Sequence, residues 1–166
     1  MKKLSLVLVV GLGLVLMAGG AFAASDSKPL TVNATVSARA SLSIGQAAIH
    51  FPDADPDATS SIPATENAVS VTAKVRTGSA STATLTHLAA DDLKSGSDTI
   101  GINNVTWTAS GTGFQAGTMN KTTPQTAGSW TTSGNRDGTF NYFLANSWNY
   151  AVGSYTASST YTLSSQ

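Results

Sequence analysis

Cysteine is absent from all 166 residues, so neither a disulfide nor a lipid-modified cysteine can tether this chain. Charge is scarce as well: only 11% of residues are charged, with nine basic and nine acidic side chains. Nothing in that balance forms the basic track that phosphate backbones require, which argues against a nucleic-acid partner. Beyond residue 23 no apolar run approaches the roughly 20 residues of a membrane-spanning helix. Motifs that would place an acid, a base and a nucleophile together are missing too. There is no Gly-x-Ser-x-Gly elbow and no metalloprotease helix. His50 and His87 stand apart from any nucleophile motif, and Asp91 and Asp92 read as neighbours in a solvated turn rather than paired acids. The expectation is a protein without catalytic residues, without a cofactor and without a structural metal.

The first 23 residues carry an address. Lys2 and Lys3 form a basic start, Leu4 to Ala18 an apolar stretch, and Ala21-Phe22-Ala23 a small-x-small cleavage pattern, so cleavage is expected before Ala24. The alternative is an uncleaved anchor, but Gly11, Gly13, Gly19 and Gly20 interrupt an already short stretch. Removing Lys2 and Lys3 leaves a slightly acidic mature protein with no membrane span. Its expected location is the periplasm, the cell surface or the medium. About 143 residues would remain, enough for one domain with one core over residues 24–166.

Alternation of apolar and polar residues dominates the chain beyond that segment. From Leu30 to Ile44 every second residue is apolar (Leu30, Val32, Ala34, Val36, Ala38, Ala40, Leu42, Ile44) and every residue between is polar. A period of two marks a half-buried strand. At about 3.3 Å per residue this run spans about 50 Å, against about 20 Å for an ordinary strand. It is expected either to bend between two sheets or to reach beyond its own domain.

Val69, Val71, Ala73 and Val75 define a second clear strand, and Ala83 to Leu88 a weaker one. Ala89 to Lys94 could form a helical turn stopped by Ser95-Gly96-Ser97. Apolar parity then shifts from Ile100 and Ile102 to Val105, Trp107 and Ala109, which predicts a bulge at Asn103-Asn104. Gly111, Gly113 and Gly117 mark a loop, and Ser133 to Gly138 a tight turn. Phe140, Tyr142 and Leu144 form an inward face, Asn146 to Tyr150 a corner, and Gly153 opens a last strand with Tyr155, Ala157, Tyr161 and Leu163 on one side. Seven or eight strands without a persuasive helix predict an all-β, immunoglobulin-like antiparallel sandwich, with a closed barrel as the competitor.

Two further groups invite a binding role. Asp53, Asp55 and Asp57 alternate on one proline-stiffened loop, as oxygen ligands for calcium do, but Ala58 and Ala64 replace the glycine and closing glutamate of the helix-loop-helix motif. A solvated acidic loop is the simpler reading. Trp130 and Trp148, near corners, are expected to be more exposed than Trp107 and could form a sugar-stacking platform. Asn33, Asn104 and Asn120 open glycosylation sequons that a bacterium need not use.

The segments LTVNATVSARASLSI, IHFPDADPD and WNYAVGSYTASSTYTLSS resemble the beginning and end of secreted bacterial pilin-like and coat-like domains. Spore coat protein U-type domains, chaperone-usher fimbrial subunits and WxL-type surface domains share this layout. Two departures stand out: Leu42 occupies the place of the first cysteine of several such domains, and Tyr161-Thr162-Leu163 replaces a WxL signature. The resemblance implies a non-enzymatic structural or surface-assembly subunit. It further implies copies of itself or related subunits as partners, joined by strand exchange, with a periplasmic chaperone in the pathway. In such exchange an alternating N-terminal segment completes a neighbour's unfinished sandwich. Here the Leu30 to Ile44 run is either the first strand of a complete domain, bent across both sheets, or a donor with Leu30 to Val36 outside and Ala38 to Ile44 inside. A monomeric secreted binding module, for example for carbohydrate, is the alternative function.

Overall fold

The computed structural model describes residues 24–165, so the expected signal segment 1–23 lies outside the described residues. Contacts divide the chain between Ala34 and Thr35. Of the first unit, residues 24–34 form no helix or strand, and their side chains are exposed.

The second unit is all β. Its strands are β1 (Arg39–Ile44), β2 (Ser61–Pro63), β3 (Val69–Arg76), β4 (Ala83–Ala89), β5 (Leu93–Ser95), β6 (Asp98–Ile100), β7 (Val105–Ser110), β8 (Gly117–Thr118), β9 (Gln125–Trp130), β10 (Gly134–Ala145) and β11 (Ser159–Ser164). A six-stranded antiparallel sheet runs β1-β3-β10-β7-β8, with β2 pairing the far end of β10. A second sheet runs β11-β4-β9, and β5 and β6 form a hairpin.

Alternation explains the central strands. In β3 Val69, Val71, Ala73 and Val75 are buried while Ser70, Lys74 and Arg76 are exposed. In β4 Ala83, Leu85, His87 and Ala89 are buried. The two sheets meet face to face through aromatic rings: Trp107 of β7 lies 5.3 Å from His87, and Phe140 of β10 stacks on Tyr161 of β11 at 5.7 Å. Burial of such rings is the main source of stability for a chain without covalent links.

Several expectations are corrected. The first strand begins at Arg39, not Leu30, and it joins one sheet instead of bending across two. Residues 89–94 form no helical turn: β4 ends at Ala89, β5 follows, and Gly96, at φ 57, turns the chain into β6. The parity change is absorbed by a 3-10 turn at Ile102–Asn104 rather than a bulge, leaving Ile100, Ile102, Val105 and Trp107 all buried. Ser133 to Gly138 is not a turn. Gly134 already begins β10, whose first half pairs with β3 through Gly134↔Val75 to Phe140↔Val69. The last strand starts at Ser159, later than the pattern from Gly153 suggested. An irregularity does occur in the ladder of β4 with β9, at Leu85/Thr86.

Candidate functional site

On one lateral flank each sheet ends in a singly paired strand. The two edge strands are β1, paired only with β3, and β11, paired only with β4. Among the described residues no backbone hydrogen bond joins β1 to β11. Near one end the Ser165 hydroxyl donates to the Arg76 carbonyl at 2.7 Å. Leu42, Ile44, Tyr161 and Leu163 are only half-buried along this flank, although their alternation points them at the core.

Toward the other end lies a cleft of about 1200 Å³. One wall is the segment containing Ile49, His50 and Phe51, the other is the approach to β11 from Gly153 to Ser159, and Ile62, Leu93, Ile100, Ile102 and Leu144 contribute apolar lining. Small-molecule sites usually measure about 300–1,000 Å³ and bury most of a compact ligand. This cleft is larger, and of the two edge strands only Ser159, the first residue of β11, reaches its lining.

Local bonds hold both walls. The Glu66 carboxylate accepts from the His50 backbone N–H at 2.7 Å and meets its Nδ1 at 2.5 Å, and these bonds hold the Glu66 carboxyl below its ordinary pKa. Thr65 N–H donates to the His50 carbonyl. On the other wall Lys94 and Thr156 exchange two backbone bonds, and Ala90 N–H donates to Ser158. Asp91 pairs with Lys94, and Asp92 pairs with Lys121 while accepting from the Ile102 N–H at 2.9 Å. Both aspartates are held below the usual carboxylate range, chiefly by these lysines. They bind the β5–β6 hairpin to its surroundings.

Residues 24–38 show the complementary property. Leu30 is 86% exposed, Val32 82% and Val36 70%, and none of residues 24–38 belongs to a strand. A stretch with strong strand alternation therefore leaves its apolar face in water and its backbone without a ladder.

The remaining candidate residues separate. Asp55 accepts from the Asp57 N–H at 3.0 Å, and Asp57 accepts from the Trp148 indole at 3.0 Å. Among the described residues no three His, Asp or Glu side chains are grouped as metal ligands would be. Trp148 is 70% exposed, as expected of a corner residue. Trp130 is instead buried, its indole donating to the Thr112 carbonyl at 2.8 Å and its ring meeting Phe114 edge-on. Gly113 in a turn and Gly128 within β9 leave room for that ring, and the approach of Gly113 is a long-range fit that no local pattern signals.

Alternation places His87 in a strand but does not reveal its setting. The ring is fully buried, lies 4.5 Å from Tyr161, and has no hydrogen-bond partner at either nitrogen. Burial holds its pKa down at about 4. Tyr142 and Tyr161 join hydroxyls at 2.7 Å, and burial is the main cause raising the pKa of both.

Among the described residues no helix is long and apolar enough to cross a membrane. In comparisons with known proteins, no family model, curated protein or solved structure matches the chain.

Proposed function

We propose that this chain is an exported, non-enzymatic structural subunit that assembles with copies of itself or related subunits by strand donation. The observation that carries the reading is the exposed alternating face of Leu30, Val32 and Val36 in a chain whose two sheets end in the singly paired strands β1 and β11. Supplying a strand to a partner would bury both the donated apolar side chains and the half-buried ones that receive them. Each fully buried Leu or Val contributes about 1.5–3 kcal/mol, so the exposed face is a substantial unused source of association energy. Main-chain bonds along β11 would set direction, and alternate side chains would pack beside the half-buried Leu42, Ile44, Tyr161 and Leu163.

A hairpin back onto β1 would need a tight turn at Ser37-Ala38. Such turns favour Gly, Asn or Asp at positions of positive φ, so this link is better suited to extended delivery to another copy. In this reading the two packed sheets form an unfinished immunoglobulin-like sandwich, and the apparent signal takes the subunit out of the cytoplasm. The resemblance to pilin-like and coat-like domains supports the same role, with a chaperone to cover the flank before assembly.

The test compares the mature chain with Val32→Asp. Ladders or rods from the former and monomers from the latter support donation. Monomers from both overturn it. A second reading is a secreted carbohydrate-binding module, favoured by Trp148, whose exposed ring is pinned by Asp57. Tryptophan fluorescence titrated with a glycan panel tests it, and a flat response throughout removes it.

A further inference from the structure

His87 is the group whose position the assembly reading leaves unused. Its two ring nitrogens are the buried side-chain polar atoms among the described residues that lack a hydrogen-bond partner. A buried polar group without a partner is a standing penalty, and a charged one far more so. Trp107 faces the ring from β7, and Tyr161 from β11 stands directly opposite it in the ladder. Tyr161 in turn bonds Tyr142 of β10, while Gln125 is the register partner on β9. The buried face of β3 is Val69, Val71, Ala73 and Val75. None of these residues supplies a carboxylate to balance a protonated ring, and burial alone accounts for its suppressed basicity.

The strands beside β4 are not equally able to yield. On one side β9 is tied across the sheets: Gln115 N–H donates to Ala127, and Ser129 N–H to Gly113. On the other side β11 has a free outer backbone edge and is held to the other sheet by hydrogen bonds from side chains alone, Tyr161 to Tyr142 and neighbouring Ser165 to Arg76. A strand bonded through its backbone on one side only has fewer bonds to break on opening.

We propose that His87 is an acid-sensitive latch: proton uptake expels its ring from between the sheets, and β11 parts from β4 while β9 stays in place. The linkage has a definite sign. A released ring takes a proton near pH 6.5 and a packed one near 4, so acid favours release throughout that interval. The consequence for assembly, loss of the β11 edge in acid, rests on the strand-donation reading; the latch itself does not.

Residue-resolved amide exchange on full-length mature Val32→Asp, at pH 7 and pH 5, tests the latch whether or not the unsubstituted chain assembles. Relative to β9 in the same sample, β11 protection is expected to fall about 20-fold between the two pH values, the ratio set by titration near 6.5 against 4. Adding His87→Leu or His87→Phe is expected to abolish that difference. Equal losses in β9 and β11, or an unchanged loss in the substituted chains, overturn the latch. If neither substituted chain folds, the ring titration of His87 followed by NMR decides: a value near 4 with β11 signals shifting alongside supports it, and a value near 6.5 refutes it. Assembly of the mature chain is scored separately, so failure of strand donation and failure of the latch give different results.

Discussion

The two flanks of the packed sheets are built from similar residues and reach opposite outcomes. On one flank the segment from Gly111 to Thr118 crosses between the sheets and accepts from both indoles: Trp107 donates to Gln115 and Trp130 to Thr112, each at 2.8 Å. Phe114 bridges to Gly128, and Gln115 and Ser129 add backbone bonds. Gly117 lets this strap lie against the Trp107 ring, because a Cβ there would stand 2.4 Å from it. On the other flank β1 and β11 also carry alternating apolar residues, but no backbone strap crosses between them and only the Ser165 hydroxyl reaches over, to Arg76. The difference teaches that apolar alternation closes a flank only where a further segment satisfies the edge backbone.

The comparison can be broken most severely from the closed side. Trp107→Ala is expected to cost about 3–5 kcal/mol, because it empties the space between the sheets and orphans the Gln115 carbonyl; urea unfolding of the monomer measures it. Gly113→Ala ranks next, at about 1–3 kcal/mol. Gly113 sits at φ 83, and a Cβ would lie 2.3 Å from the Trp130 Nε1, so the strap must shift. If this substitution left stability unchanged, the strap would not be what closes the flank. On the open side Tyr161→Phe removes one hydroxyl pair near a half-buried edge and is expected to cost about 0.5–1.5 kcal/mol in the same assay. The smallest effect on folding belongs to Val32→Asp, within about 0.5 kcal/mol, since the side chain is exposed. Under strand donation, its effect on assembly is expected to be complete. A large folding defect would show that residues 30–36 support their own domain.

Particular residues show how far the sequence could be read. Alternation located β3 to the residue, and it identified Phe140, Tyr142 and Leu144 as the inward face of β10, because both strands have partners on each side. The same signal overran at Leu30 to Ala38, since alternation records fitness to pair and says nothing of whether a partner is present. Composition misread Ser133 to Gly138 as a turn, where cross-strand pairing with β3 holds Asn135, Asp137 and Gly138 in a strand. Thr72 donates to Asp137 at 2.7 Å, a tertiary contact that favours the extended form. Of the cleft, the sequence offered apolar residues such as Ile100, Ile102 and Leu144, but not the gap between them.

By itself the chain determined an all-β unit held without disulfides, the inward faces of its long strands, and an N-terminal stretch able to pair. These features come from local chemistry, because a period of two sorts side chains by face wherever the strand lies. Tertiary structure alone decided that Trp130 is buried, that the His87 ring nitrogens have no hydrogen-bond partner, and that one flank is strapped while the other ends in two singly paired strands. Each depends on which distant segments arrive beside an edge, and hydrophobic attraction between residues far apart in sequence is non-directional: it specifies burial, while backbone pairing and packing choose the neighbour.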